Sequence, residues 1–122
     1  MHTNTTIIKQ VGSNKGIPKS KPHIILEVLE YAKNTIARKT IIKHNGSSMS
    51  AVAFDKGELF CERTTLYETF LQVIDGKAEL TIGKKEFNVT TGECIVIPKQ
   101  SIYCLIANEE FKIIITHIKD ND

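Results

Sequence analysis

The sequence has no apolar run approaching the roughly 18 to 20 residues needed to cross a bilayer as a helix. Its opening residues, MHTNTTIIKQ, lack the apolar stretch and small-residue cleavage site of a signal peptide. The expectation is a cytoplasmic protein with no membrane partner. Nor is there an excess of charge of one sign: 16 basic against 14 acidic residues leave a net charge of +2, too small to imply a nucleic-acid partner. Cysteine is scarce and odd in number. Cys61, Cys94 and Cys104 show no C-x-x-C spacing, so neither a disulfide framework nor a zinc clasp is indicated, and free, mostly buried thiols are expected. Internal repeats, low-complexity tracts, phosphate-cradling glycine loops and Ser/His/Asp arrangements are absent.

What is present describes one ordinary globular domain. A chain of 122 residues can bury about two thirds of its unfolded surface in a single core. With 41% hydrophobic and 25% charged residues, no second compositional class needs to be invoked. Residues 1–19 are polar, with Gly12, Gly16 and Pro18, and predict a flexible N-terminal arm unless TTIIKQV adds an edge strand. In residues 20–34, Ser20 is a candidate N-cap and Pro22 falls in the first turn. Ile25, Leu26, Val28, Leu29 and Ala32 follow at helical spacing, predicting one short amphipathic helix.

From Thr35 onward the period changes to two, and turn signals recur about every eight to twelve residues. TIARKTIIK ends at HNGSS, and MSAVAF ends at DKG. ETFLQVI and KAELTI flank Asp75-Gly76, a dipeptide suited to a two-residue type I′ hairpin turn. Ala78, Leu80 and Ile82 alternate with Lys77, Glu79 and Thr81 before GKK turns the chain into EFNV; CIVI, IYCLI and FKIIITHIK follow. Eight or so short strands must cover each other's faces and edges, so residues 35–119 predict an all-β sandwich or small closed barrel.

Two stretches of this body carry a resemblance. Gly57, Gly76, Gly92 and Pro98 fall without a gap into the two motifs of the cupin superfamily, G-x5-H-x-H-x3,4-E-x6-G and G-x5-P-x-G-x2-H-x3-N. ERTTLYETFLQVIDGKAELTIGK is also similar to the EHTAPFDALVQVLEGEAEITIGG of small single-domain cupins. The resemblance implies a small, jelly-roll-like β-barrel preceded by the short N-terminal helix. The glycines suit tight turns and Pro98 suits a strand exit, so these residues speak for shape and not for activity.

The resemblance also marks where metal-binding cupins place three histidines and a glutamate. Those positions hold Arg63, Thr65, Thr69 and Tyr103. A guanidinium has no lone pair to give, threonine binds weakly and neutral tyrosine is an uncommon ligand, so no metal and no cofactor are expected. Gln100 and Ala107 replace the second motif's glycine and asparagine. Strand parity turns Glu62 and Glu68 away if Arg63 and Thr69 point inward, and Cys61 shares the parity of Arg63. The remaining histidines, His2, His23, His44 and His117, lie away from the motifs and read as surface or satisfied core residues.

The candidate ligand-binding set is therefore Arg63, Thr65, Thr69, Tyr103 and Cys61. A planar cation among hydroxyls suits a carboxylate or phosphate, because a bidentate pair satisfies the guanidinium. The competing reading places Arg63 at the rim, paired with Glu58 or Glu62, with the hydroxyl residues filling the core. The expected function is metal-independent binding of a small, anionic metabolite in the barrel mouth, with no defined catalytic residue. The alternative is a cryptic enzyme: a metal-independent isomerase or epimerase, or a metalloenzyme with atypical ligands. Outward Phe70 and Ile74 and the apolar segments IIITHI and IIK predict a homodimer. Light scattering that returns a monomer at micromolar concentration refutes the dimer.

Overall fold

A computed structural model describes residues 8–63 and 65–120. Its strands are β1 (Ile8–Gln10), β2 (Ile36–His44), β3 (Ser47–Phe54), β4 (Leu59–Glu62), β5 (Glu68–Asp75), β6 (Lys77–Ile82), β7 (Lys85–Thr90), β8 (Cys94–Ile97), β9 (Tyr103–Ile106) and β10 (Phe111–Ile118). They form two facing sheets, a six-stranded one in the order β1-β2-β3-β10-β5-β8 and a four-stranded one in the order β4-β9-β6-β7. The period-two pattern supplies the layer between them: Ile36, Phe54, Leu71, Val73, Leu80, Ile97, Leu105, Phe111 and Ile113 all point inward and are fully buried. This is the all-β, jelly-roll arrangement expected from the sequence.

Turn chemistry fixes the first hairpin. Asn45 and Gly46 join β2 to β3, with φ of +50° and +85° and His44 paired with Ser47. Two central residues at positive φ define the type I′ turn that matches strand twist. The Asp75-Gly76 hairpin does not form. β5 pairs with β10 and β8, whereas β6 pairs with β7 and β9, so Gly76 is the corner at which the chain passes from one sheet to the other. Gly76 has φ of +94°, and a Cβ there would lie 2.6 Å from the Glu110 carbonyl oxygen. The glycine is needed for close backbone approach at a sheet crossing, a requirement whose local sequence is the same as that of a hairpin.

The N-terminal third departs most from expectation. The helix predicted over residues 20–34 is reduced to a single 3-10 turn, Ile25–Glu27. Ser20, the candidate cap, sits at φ of +62°. The flexible arm is also partly structured: Ile8–Gln10 adds a parallel edge strand beside β2, and Gly16 bridges Ile42. The rest of that arm, residues 1–7, lies outside the described residues. The physical reason is tertiary. On the outer face of the six-stranded sheet, Ala37, Ala51 and Ala53 leave a shallow bed in which Val28 and Leu29 are buried beside Ile114. Buried Lys112 donates a 2.7 Å bond to the Leu26 carbonyl and lies 4.9 Å from the Tyr31 ring centre, while Tyr31 donates a 2.6 Å bond to Asp75. Packing and anchoring of an irregular segment outweigh a weak helix preference. Ile41, Ile74 and Ile114, part of the apolar surface that suggested a dimer, pack in this cluster of the chain's own residues.

Candidate functional site

The two sheets enclose a cavity at one end of the barrel. It is about 110 Å³, with Phe54, Leu105 and Ile113 as its floor and Arg38, Glu62, Tyr103, His117, Ser48 and Ser50 among its walls. A second hollow of about 190 Å³ shares Glu62 and His117 and is completed by Thr65, Leu66 and Tyr67. Both are below the roughly 300–1,000 Å³ typical of drug-sized ligands, so the mouth admits a molecule no larger than a small organic acid.

Alternation along each strand explains which side chains arrive there. On β10, Phe111, Ile113, Ile115 and His117 share the inward face; on β2, Ile36, Arg38 and Thr40 do so, and on β3, Ser48 and Ser50 continue the face of Val52 and Phe54. Glu62 of β4 stands directly opposite Tyr103 of β9. The apolar part of each strand fills the core, and the polar residues one or two steps further along line the mouth.

A short chain of hydrogen bonds leads to His117. Its Nδ1 is 3.2 Å from Thr69 Oγ1, and Thr69 is fully buried. Thr69 Oγ1 is 3.5 Å from Thr65 Oγ1, which donates to the Tyr67 carbonyl at 2.6 Å and accepts the Tyr67 N–H at 3.1 Å. The Tyr67 and His117 rings lie 5.8 Å apart in a tilted arrangement. Burial, reinforced by the positive charge of Arg38, lowers the His117 pKa below its ordinary value and keeps the ring neutral at pH 7. Burial first, and then the Glu62 carboxylate, raises that of Tyr103, so its phenol stays protonated. Arg38 donates through Nε to Gln10 at 3.2 Å, and among the described residues no carboxylate lies within ion-pair distance of it.

Of the residues expected from the sequence, Thr65, Thr69 and Tyr103 come together around this mouth. Arg63 does not. It follows the last residue of β4 and lines neither hollow; the guanidinium at the cavity is that of Arg38, itself exposed at the rim. Cys61 is also outside, because Phe60 and Glu62 take the inward positions of β4. It forms a disulfide with Cys104, directly opposite on β9, with Cα atoms 4.0 Å apart. The expectation of free, buried thiols fails for this pair and for Cys94, which is free but exposed. The residues missed were Arg38, Glu62, His117, Ser48 and Ser50. For His117 and Arg38 the signal was present: each lies two residues along the inward face from a core isoleucine.

The fold type raises the question of a metal. His117 and Glu62 are the usual ligand types lining the two hollows, and among the described residues no group of three or more His, Cys, Asp or Glu side chains converges. Two such donors beside a guanidinium do not fit a first-row metal site.

No protein-family model and no curated protein sequence matches the chain. Solved structures do. A conserved protein of unknown function from Streptococcus pyogenes superposes with a TM-score of 0.81 at 18% identity, over 92% of this chain and 98% of that one. A cupin superfamily protein from Desulfitobacterium hafniense gives 0.79 at 17% identity, over 89% and 100%. A cupin 2 conserved barrel domain protein from Leptotrichia buccalis gives 0.79 at 18%, over 86% of this chain and 51% of the longer one. The chain has the cupin fold.

Proposed function

We propose that this cupin-fold chain binds a small organic anion in the barrel mouth, without a metal. The observation that carries the reading is Arg38: a guanidinium on the wall of a small, partly apolar cavity, with no carboxylate of the described chain to pair it. Neutral His117, the Tyr103 phenol and the serine hydroxyls offer further hydrogen bonds to a carboxylate or to hydroxyls beside it. Glu62, on the opposite wall, disfavours a second carboxylate close by and selects for a compact anion with one end uncharged.

A second reading adds chemistry to the same complex. Glu62, Tyr103 and His117 line one cavity, which gives a neutral imidazole and a protonated phenol the positions of a general base and acid. In this reading the ligand is an acid with an exchangeable carbon-bound hydrogen.

One experiment addresses both. Lactate, glycolate, pyruvate and 2-hydroxybutyrate are titrated by calorimetry and thermal shift into the wild-type protein and Arg38→Ala. The binding reading expects at least one to bind, and the variant to weaken it by about 10- to 100-fold, the worth of a charge-assisted pair. Failure of all four to bind, or equal binding by Arg38→Ala, refutes the anion site. The same mixtures in deuterated water show incorporation of deuterium at carbon if the second reading holds; no incorporation leaves simple binding.

A further inference from the structure

The Cys61–Cys104 pair is not part of the cavity, yet its neighbours are. β4 has four residues, lies at the edge of its sheet and, among the described residues, has β9 as its one partner strand. Its inward residues Phe60 and Glu62 line the mouth, and the Phe60 ring meets that of Tyr103 edge-on at 6.4 Å. On the outer face, one residue away from each, Cys61 and Cys104 are joined. The disulfide therefore ties together the two strands that carry Glu62 and Tyr103, from behind. Cys61 is exposed and Cys104 half-buried, so a reductant from solvent meets the pair on the Cys61 side.

We infer that Cys61–Cys104 is a reversible thiol–disulfide site, acted on by a dithiol reductant, that controls how firmly β4 presents Glu62 to the barrel mouth. In the reaction a thiolate of the reductant attacks Cys61 Sγ and displaces Cys104 as a thiolate. The reductant's second thiol then attacks its own sulfur in this mixed disulfide and releases Cys61. Two electrons pass to the protein, each cysteine sulfur takes up one proton, and the reductant ends as a disulfide. In the reduced chain β4 is held by its short ladder to β9 and by flanking bonds: at its start the Gly57 N–H donates to the Ala107 carbonyl and the Ala107 N–H to the Glu58 carbonyl, at 2.6 and 2.9 Å. Beyond its other end, the Thr65 N–H donates to the Ser101 carbonyl and the Gln100 N–H to the Thr65 carbonyl, at 3.1 and 2.6 Å, so the strand is anchored at both ends and what reduction releases is its middle, where Cys61 is joined to β9 beside Glu62. β9 is held on its other side by β6, and Tyr103 keeps its place opposite Ile82.

The regulatory consequence rests on the mouth being a binding site, but the device can be read with no ligand present. Free thiols are counted first, with and without dithiothreitol, and peptide-level hydrogen exchange is then followed in both forms and after reoxidation. One free thiol per native chain is expected, rising to three on reduction. At labelling times too short for amides that open only with the whole fold, exchange in residues 59–62 is expected to accelerate by about tenfold or more, with β3 and the centre of β10 protected in both forms and full recovery on reoxidation. Three free thiols in the protein purified without reductant overturn the proposal. So does unchanged exchange in β4, and so does an equal rise everywhere at those labelling times. Cys94→Ser, which leaves the pair intact, is expected to give the same exchange pattern with one fewer thiol. Because no ligand is used, failure here is distinct from failure of the anion-binding reading.

Discussion

Phe111→Ala is expected to lower the free energy of unfolding by about 3–5 kcal/mol. Phe111 is fully buried, and its ring stacks on Phe54 with centroids 4.5 Å apart and planes 18° from parallel. Truncation removes the transfer energy of a phenyl group and leaves a void, because strand residues fixed by ladders on both sides cannot close over it. Small domains are stable by about 5–15 kcal/mol, so one side chain accounts for a large share. Urea denaturation is expected to show the midpoint falling at nearly constant slope, and thermal unfolding to drop by about 10–20 °C. A loss under about 1 kcal/mol would mean that β10 does not run through the centre of the core. The control is Val96→Ala on edge strand β8, where the side chain is 57% exposed and the expected change is within about 0.5 kcal/mol.

Removing the disulfide is the second large effect. Cys61 and Cys104 are separated by 43 positions, and in the chain-entropy account closing a loop of that length stabilises the native state by about 4 kcal/mol. The double variant Cys61→Ser, Cys104→Ser is accordingly expected to lose about 3–4 kcal/mol in equilibrium denaturation under oxidising conditions. The wild-type protein in excess dithiothreitol is expected to match it, and Cys94→Ser to stay close to wild type, since its thiol is free and exposed. If oxidised and reduced wild-type protein unfold at the same denaturant concentration, the cross-link contributes nothing to stability. Denaturation, and exchange of core amides at long times, measure how much the bond restricts the unfolded chain; exchange at short times measures which part of the folded chain it holds.

Much of the site was legible once strand parity was followed from the core outward. In FKIIITHIK, the alternation that buries Ile113 and Ile115 also carries His117 to the cavity; in TIARKTIIK, that of Ile36 carries Arg38. Glycine spacing located the same region but set parity on β4 by counting, which put Arg63 inside and Glu62 outside. The structure reverses both, because β4 ends at Glu62 and Arg63 lies beyond it. The guanidinium chemistry anticipated for the mouth survives with a different residue.

By itself the sequence determined the class of the fold, the succession of most strands along the chain and the buried face of KAELTI, since these depend on period-two hydrophobicity and turn residues separated by a few positions. It also determined that Thr65, Thr69 and Tyr103 belong near one end of a barrel. Only the tertiary structure decided which strands pair, and that decided the rest. Asp75-Gly76 is a sheet crossing because β10 and β8 flank β5. Cys61 meets Cys104 because β4 and β9 lie in register across a separation of 43 positions. Residues 20–34 lie irregularly against the outer sheet because three alanines from β2 and β3 make a bed there. Each of these is a contact between segments distant in the chain, and its energy resides in packing and register that no local window contains.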